Sequence, residues 1–511
     1  MKTTDIISSQ QAKIQSLEED VLVLKRQLDW FKRELFGRKS EKQLLTQNCA
    51  QGSLFDTGKD SQKITTSTNI KAHTRQSTTQ RNGDEVNDTG LRFDASVPTK
   101  VIDIPAPELQ GENADNYEVI GYKETNRLAQ QPGSYTVLIY RRPVVRHKKE
   151  QTVKTVSAPT NVLEGCYADV SLIAGLMVDK GVYHLPLYRQ HQRMIDSGVH
   201  VSRASLLNWV QKGIELLRPI YQANLRSIIK SQILAMDEVP IKAGRKSKGK
   251  MKQTYFWPMF GDNNEVAFTW SNSRGRLHVQ QQLEGFTGTL LTDSYAAYSK
   301  TVAKLNEKEE TITHAACWVH ARRYFDRALQ IEPIAAQQAI DQIAILYKNE
   351  KHIKDKITNP TDALAYRQKY SEPIVTQFFA WIYEQRQRID LTPTNPLTKA
   401  LKYVNERQVE LKVFLSNPAV SMDTNHLERA LRVIPMGRKN YLFCWSELGA
   451  EQLGILQSLL VTCRLQGVDP YHYLVDVLQR VSVHPASKVA ELTPRIWKET
   501  FADEILTSDL I

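Results

Sequence analysis

The chain has 511 residues, a mean hydropathy of −0.42 and charged residues at 24% of its positions. This composition is typical of a folded soluble protein and excludes disordered and membrane proteins. The longest apolar stretches fall short of the ~18–20 residues of a membrane-spanning helix, and the first residues contain no apolar signal-peptide core. We therefore expect a cytoplasmic protein, and its five scattered cysteines fit reduced thiols in that compartment.

The net charge is +11 and the pI is near 9.2, which favours an anionic partner, most simply nucleic acid. Basic residues are concentrated in Arg141–Lys149 and in Lys242–Lys252, both beside strand-like sequence. Such segments are typical of loops and sheet edges that contact phosphates. A merely basic solvated surface is the alternative, which net charge does not exclude.

The first forty residues carry a heptad repeat. Two sets of apolar residues alternate at steps of four and three: Ile7, Ile14, Val21, Leu28 and Leu35, and Leu17, Leu24 and Phe31. This spacing predicts a coiled coil and hence a homo-oligomer, most simply a parallel dimer. A helix docked on its own chain is the alternative. The polar segment that follows lacks large apolar residues and is predicted to be a flexible linker.

Alternating strand-like sequence after the linker predicts a small β-rich module, and helical sequence begins at Asp169. Two helices joined through Gly198, the second capped by Ser202, fit a helix-turn-helix whose second helix enters the major groove of DNA. The second helix has Leu206, Leu207 and Trp209–Val210 as its apolar residues, and Arg203, Ser205 and Asn208 would face outward. Many helical hairpins bind nothing, so this signal alone does not establish DNA binding.

The middle of the chain predicts an α/β domain. Apolar strand-like runs at 232–239, 254–260, 266–270, 289–293 and 311–318 alternate with helical segments after the third run. Three strands, helix, strand, helix, strand is the order of a ribonuclease-H-like mixed sheet.

Three acids stand out in this domain. Asp237 ends the run ILAM, Asp293 ends the run TLLT, and Glu428 lies near the start of a helix in NHLERALR. The first and fourth strands of a ribonuclease-H-like sheet are neighbours, so the two aspartates should face one volume. Carboxylates suit Mg²⁺, and two such ions can catalyse in-line phosphoryl transfer. Each acid alone is more often a turn former or a solvated residue; together they favour a catalytic metal site.

Glu238 is predicted to be a poor substitute for Asp237, because adjacent residues of a strand face opposite sides. Asn425, Glu428 and Arg432 are spaced to share one helical face, with Arg429 beside them. The following Gly437–Asn440 is predicted to be a basic turn near the same edge.

His314, Cys317 and His320 invite a zinc interpretation because each is three residues from the next. The segment starts as a strand, in which such positions face opposite sides, so zinc is not expected there. His320, with Arg322 and Arg323, better fits a polar and basic edge of the site.

Several motifs occur in a specific order: LFGRKSEK, HLPLYRQHQRMIDSGVHVSRASLLNWV, MDEVPIK, TDSYAAY, CWVHARRYF, NHLERALR, GRKNYLF and SLLVTCRLQGVDPYHYLVDVL. In these motifs the chain resembles the bacterial transposases of the insertion-sequence-66 family, which have a DDE active site. The resemblance implies that Asp237, Asp293 and Glu428 are catalytic and bind Mg²⁺, with Mn²⁺ as a substitute. It also implies that the long helical segment before Glu428 is a domain inserted into the catalytic fold.

The chain departs from the family at one point. Members carry cysteine pairs of a zinc-binding module between the coiled coil and the helix-turn-helix, whereas 100–160 contains no cysteine here. This puts zinc, and the usual mode of terminal-repeat recognition, in doubt.

The leading hypothesis is therefore a transposase that cuts the ends of its element and joins them to target DNA, in a bacterial cytoplasm and associated with the nucleoid. Its partners would be terminal-repeat and target DNA, a second copy, and companion proteins encoded by the same element. A catalytically inactive DNA-binding regulator and a ribonuclease-H-like nuclease without strand transfer are the alternatives. Fourteen side chains are predicted to contact DNA: Arg203, Ser205, Asn208, Arg245, Lys246, Lys248, His320, Arg322, Arg323, Asn425, Arg429, Arg432, Arg438 and Lys439.

The predicted organisation is an α/β catalytic core with a helical insertion, preceded by four smaller segments and followed by one. The segments are a coiled coil (1–42), a linker (43–97), a β-rich module (98–165), a helix-turn-helix region (166–228), the first part of the core (229–325), the insertion (326–420), the last core helix with Glu428 (421–445) and a C-terminal helical region (446–511).

Overall fold

The computed structural model describes residues 91–110, 114–131, 133–149, 151–293, 295–307 and 311–510. The predicted coiled coil and most of the predicted linker lie outside the described residues. The end of that linker is a correction, because strand β1 (Arg92–Phe93) pairs antiparallel with β6 (Val199–His200). Leu91 and Val97, on either side of β1, are buried. This stretch is therefore held in the fold by a partner strand about a hundred residues away.

A four-stranded sheet occupies the position of the predicted β-rich module. Its strands are β2 (Thr99–Asp103), β3 (Tyr117–Gln131), β4 (Ser134–His147) and β5 (Val153–Thr155). The order is β2-β4-β3, with β5 also paired to β4. β3 and β4 form a long antiparallel hairpin with one irregularity between Val119 and Gly121. Short 3₁₀ turns at Pro107–Leu109 and Ala114–Asn116 connect β2 to β3.

Three helices follow: α1 (Val170–Gly181), α2 (Leu187–Asp196) and α3 (Arg203–Ile229). Gly198, between α2 and α3, has a φ of +79°, a conformation that glycine adopts without strain. The Ser202 hydroxyl caps α3 by accepting a hydrogen bond from the Ser205 N–H at 3.0 Å. α3 continues for 27 residues to the central sheet, where the Asn224 amide donates to the Val266 carbonyl.

The central sheet is mixed, as predicted, but it has six strands rather than five, because the residues that follow Glu238 form an additional strand. Its strands are β7 (Ile233–Met236), β8 (Val239–Ser247), β9 (Lys250–Gly261), β10 (Val266–Ser271), β11 (Gly288–Thr292) and β12 (Ile312–Ala316). The order is β10-β9-β7-β11-β12, with β8 paired to β9. β7, β11 and β12 are parallel to one another, whereas β9 is antiparallel to β7 and β10. Helices α4 (Arg276–Gln282) and α5 (Ala296–Asn306) link β10, β11 and β12.

Alternating side chains of this sheet enter two different hydrophobic clusters, as the period of two requires. Leu234 and Leu290 lie in the cluster that also contains the end of α3. Ala235 and Leu291, one residue further along each strand, lie in a cluster with the helices that follow the sheet. The strands are therefore covered on both faces, which explains their nearly continuous apolar sequence.

Helices make up the rest of the described chain. They are α6 (Trp318–Ala328), α7 (Pro333–Lys356), α8 (Pro360–Tyr366), α9 (Glu372–Arg386), α10 (Pro396–Asn405), α11 (Gln408–Lys412), α12 (Asn425–Leu431), α13 (Val433–Tyr441), α14 (Glu447–Leu465), α15 (Pro470–Arg480) and α16 (Pro494–Thr500). A π-helical turn at Arg367–Ser371 joins α8 to α9, and 3₁₀ turns lie at Val413–Leu415 and Ala486–Leu492. In the part of the chain that the structure describes, no helix has the length and apolar character to cross a membrane.

Helix α14 protects the edge strand β10. The Ser458 hydroxyl accepts a hydrogen bond from the Phe268 N–H at 2.8 Å, and the Thr462 hydroxyl accepts one from the Val266 N–H at 3.1 Å. Gly454 allows this approach, since a Cβ there would lie 2.5 Å from the Phe268 carbonyl oxygen. An edge strand whose N–H groups are covered in this way cannot pair with another chain.

Candidate active site

Asp237 and Asp293 meet at one edge of the central sheet. Each follows directly on a strand, β7 and β11, and these strands are parallel neighbours. The carboxyl ends of parallel neighbours lie side by side, so the two side chains are delivered to one place. One oxygen of each lies within 4.8 Å of the other and of an oxygen of Glu238. The expected convergence of the two aspartates is thus present in the structure.

Glu238 belongs to the same cluster, which corrects the prediction that it faces away. β7 ends at Met236, so Asp237 and Glu238 lie between strands, where the alternation of sides no longer holds. The Glu238 side chain is 5% exposed and forms an ion pair with Arg274. It also accepts a hydrogen bond from the Tyr298 hydroxyl at 3.1 Å. These contacts turn the carboxylate toward the two aspartates.

Burial and the close approach of these acids raise the pKa of two of them, Asp237 and Glu238. Burial is the main cause that raises the pKa of Asp237 to about 7, and the negative charges of Asp293, Glu238 and Glu428 raise it further. Burial and the charge of Asp293 also raise the pKa of Glu238, although Arg274 acts in the opposite direction. Crowded carboxylates of this kind are stabilised by protonation or by a bound cation.

Glu428 lies beside this cluster, but its carboxylate is engaged elsewhere. Both of its oxygens accept hydrogen bonds from the Arg323 guanidinium, at 2.7 and 2.9 Å. Its charge nevertheless contributes to the raised pKa of Asp237, so it acts on the cluster electrostatically. The segment before α12 is tied to the site by a hydrogen bond from the Trp318 N–H to the Met422 carbonyl at 3.0 Å.

The backbone around Asp293 is fixed by two tyrosines. The Tyr295 N–H donates to the Asp293 carboxylate at 2.9 Å, and the Tyr403 hydroxyl donates to the Asp293 carbonyl at 2.7 Å. Tyr403 lies on α10, so the helical segment after the sheet also supports the site. The Arg274 guanidinium lies 3.9 Å from the centre of the Tyr295 ring and also forms the ion pair with Glu238, so one side chain contacts both. These partners were not predicted from the sequence. Tyr295 and Tyr298 could have been, because both follow closely on Asp293 in the motif TDSYAAY.

His314, Cys317 and His320 are directed to different partners. His314 contacts the Thr292 hydroxyl at 2.9 Å, and burial lowers its pKa to about 4. Cys317 accepts hydrogen bonds from Thr424. His320 lies 3.1 Å from the Arg323 guanidinium, and its pKa is lowered by burial although Asp293 and Glu428 favour its charged form. His320 and Arg323 therefore lie at the edge of the acid cluster.

The predicted DNA contacts in the helix-turn-helix region differ in exposure. Arg203 and Asn208 are exposed near the start of α3. Ser205 is half-buried, and its hydroxyl lies 2.9 Å from the hydroxyl of the N-cap residue Ser202. Leu207, predicted to pack with Leu206, is exposed.

The two basic segments also differ. Arg245, Lys246 and Lys248 are exposed near the turn of the β8–β9 hairpin and are accessible to a polyanion. In the other segment two of the three arginines bind acids of neighbouring strands: Arg141 lies 2.8 Å from Asp103, and Arg146 pairs with Glu118. Arg142 is buried and donates to the Val156 carbonyl at 2.9 Å.

The predicted basic turn at Gly437–Asn440 is wrong, because these residues form part of a helix in the structure. These residues lie in α13, whose buried side includes Ile434 and Gly437. Arg438 donates to the Pro240 carbonyl, and Lys439 is exposed.

The helical face predicted to carry Asn425, Glu428 and Arg432 ends before Arg432. α12 ends at Leu431, so Arg432 stands at the junction with α13. Arg432 and Arg429 are exposed, whereas the Asn425 amide donates to Asp423 at 2.6 Å. Arg322, half-buried on α6, lies 3.9 Å from Asp326.

Comparison with known proteins identifies the family. The model of the IS66 family of transposases matches residues 165–452, which contain the acid cluster and Glu428. Models described as the IS66 C-terminal element and as Transposase C of IS166 homeodomain match residues 458–495 and 23–85. Among curated relatives, the uncharacterized proteins y4qI and y4jD of Sinorhizobium fredii are each 29% identical to this chain. The alignments cover 77% and 70% of this chain, and 75% and 71% of the relatives. The chain belongs to the IS66 family of transposases.

Proposed function

We propose that the protein is a DDE transposase that cleaves the ends of its insertion sequence and joins them to target DNA in a Mg²⁺-dependent reaction. The observation that carries this proposal is the meeting of Asp237, Asp293 and Glu238 within 4.8 Å at the carboxyl ends of two parallel strands. In this sheet β7, β9 and β10 are antiparallel neighbours, β8 pairs with β9, and β11 and β12 add in parallel beside β7; this order supports a ribonuclease-H-like core.

The donor set fits a hard divalent cation. Mg²⁺ prefers carboxylate oxygens and keeps several water molecules, so two or three acids with substrate phosphate complete its shell. Asp237 and Asp293 would hold the ion, with Glu238 beside them and Glu428 able to join once Arg323 releases it. A cation would also relieve the repulsion that raises the pKa of Asp237. When bound, the metal supplies Lewis-acid stabilisation of the charge that develops in phosphoryl transfer.

The chain's own residues would orient the DNA and fix the acids. Strand β8 begins directly after Glu238, and its far end carries the exposed basic residues Arg245, Lys246 and Lys248. DNA whose phosphates bind these residues would lie along β8 and reach the acid cluster. Arg323, partly exposed and bound to Glu428, can exchange that carboxylate for a phosphate oxygen. No covalent enzyme–DNA intermediate is required, because water and then a DNA 3′-hydroxyl serve as successive nucleophiles.

The test is an assay of cleavage and joining with purified protein and a plasmid that carries the complete element. We expect Mg²⁺-dependent breaks at the element ends and insertion of those ends into a second plasmid. Asp293→Asn should abolish both products while DNA binding persists, because the amide removes a metal ligand but makes the site less negative. Asp326→Asn, an exposed acid on α6, is the matched control and should react like the parent.

The other outcomes separate the alternatives. Binding without breaks, under conditions that support other metal-dependent nucleases, would indicate a regulator. Breaks without joined products would indicate a nuclease. Breaks that persist in Asp293→Asn would exclude the proposed site.

A further inference from the structure

A cavity of about 210 Å³ lies between α3 and the segment that joins α13 to α14. Val210 and Ile214 of α3 line one wall, and Tyr441, Phe443 and Trp445 line the other. An engineered apolar cavity of ~150 Å³ in another protein admits a benzene ring. This cavity therefore has room for a planar ring system between apolar walls.

One charged group reaches the cavity. Lys180, near the end of α1, lines it and is half-buried. Among the residues that the structure describes, its ammonium group forms neither a hydrogen bond nor an ion pair. The group is therefore available to donate to a ligand that presents an oxygen or a ring nitrogen, atoms that an apolar side chain of another protein does not offer.

The mouth of the cavity adjoins the proposed DNA path. The Cys444 N–H donates to the Lys242 carbonyl at 2.9 Å, and the Gly244 N–H donates to the Cys444 carbonyl at 3.2 Å. The segment with Phe443 and Trp445 thus lies along β8, the strand that runs from the acid cluster to the basic hairpin. Trp445 is 72% exposed at this mouth. Exposed aromatic rings beside basic residues are the features that bind unpaired nucleotides.

We infer that this cavity binds an unpaired base of the DNA substrate, with Trp445 stacking on the base and Lys180 donating a hydrogen bond to it. The inference rests on the proposed function, because it takes the substrate of that reaction as its ligand. It adds a base-binding subsite that lies outside the acid cluster and acts before any chemistry.

The test compares two DNA probes by fluorescence anisotropy without Mg²⁺: a short blunt duplex of mixed sequence, and the same duplex with a single-stranded extension of a few nucleotides. The parent should prefer the extended probe. Trp445→Ala should reduce that preference roughly fivefold or more, since stacking of one base on an aromatic ring contributes ~1–3 kcal/mol. Lys180→Met should also reduce it several-fold, since it removes a charged hydrogen-bond donor. Trp445→Phe should retain most of it. Tyr383→Ala, which removes a similarly exposed aromatic ring from α9, is the control and should not change it.

Because Trp445 and Lys180 lie on different elements, a folding defect in one variant, detected by its thermal unfolding midpoint, leaves the other as a test. Variants that keep the parent's preference would overturn the inference. Equal weakening for both probes would also overturn it, since the surface would then be a general DNA contact. A lower sedimenting mass with an unchanged preference would show instead that the surface joins two copies. If the parent binds neither probe, the proposed function itself fails, and the inference fails with it.

Discussion

Replacing Asp237 by Asn should remove the contribution of this acid to the pH dependence of the metal-free protein's stability. Burial and neighbouring charges raise the pKa of Asp237 to about 7, against an ordinary value near 4. The folded state then binds the proton more tightly than the unfolded state, so this group's stabilisation is full at low pH and is lost as pH rises through about 7. Between about pH 5.5 and about pH 8 the loss is on the order of 2 kcal/mol, at ~1.4 kcal/mol for each pH unit below the pKa.

The assay is thermal unfolding in a chelator at both pH values. Buried His314, whose pKa is lowered to about 4, favours the folded state as pH rises, so the informative quantity is the difference between variant and parent. From the lower to the higher pH, Asp237→Asn should gain unfolding temperature relative to the parent, because its amide does not titrate. Added Mg²⁺ should raise the unfolding temperature of the parent at the higher pH but not that of the variant. Asp326→Asn, which removes an exposed carboxylate, should behave like the parent. The same change in unfolding temperature with pH in Asp237→Asn and parent would refute the placement of Asp237 among buried acids.

Three further changes test other parts of the account. Arg323→Gln should strengthen Mn²⁺ binding up to about fivefold in calorimetry, because a partly exposed ion pair worth about 1 kcal/mol no longer holds Glu428; unchanged affinity would mean that the pair does not restrain this acid. Lys246→Ala should lower the slope of log affinity against log salt by about one for every DNA sequence, whereas a sequence-dependent loss would indicate base contact. Val21→Asp with Leu28→Asp should halve the sedimenting mass if the heptads form the proposed dimer; an unchanged mass would mean that the helix packs on its own chain.

The two aspartates could be predicted from the sequence because local rules determine their place. Apolar runs of four residues predicted strands, and each run stopped at an acid. The two strands are parallel neighbours, so the acids at their carboxyl ends lie together without any contribution from the rest of the chain. The mixed α/β architecture was predictable for the same reason, since strand and helix periodicities alternate clearly along this part of the chain.

Glu238 could not be predicted because its position depends on where β7 ends. Had the strand continued, Glu238 would face away from Asp237; it stops at Met236, and contacts with Arg274 and Tyr298, 36 and 60 residues away, orient the side chain. The Arg323–Glu428 ion pair joins residues 105 positions apart and is equally invisible to local patterns.

Two errors in secondary structure have similar causes. Gly437 and Asn440 are turn formers by composition, yet Gly437 is buried in α13, so packing outweighs local preference. The strand at Arg92–Phe93 forms because β6 pairs with it. It has only two residues, too few to show the alternation of apolar and polar residues by which a strand is predicted.

The most direct test of the proposed metal site at Asp237 and Asp293 is to locate the bound ion. With Fe²⁺ in place of Mg²⁺, added ascorbate and peroxide generate radicals that cut the backbone next to the bound ion, and mass spectrometry identifies the cuts. We expect cuts beside Asp237 and Asp293 that excess Mg²⁺ suppresses and that Asp237→Asn with Asp293→Asn eliminates. Cuts elsewhere in the chain, or cuts that persist in the double variant, would contradict it.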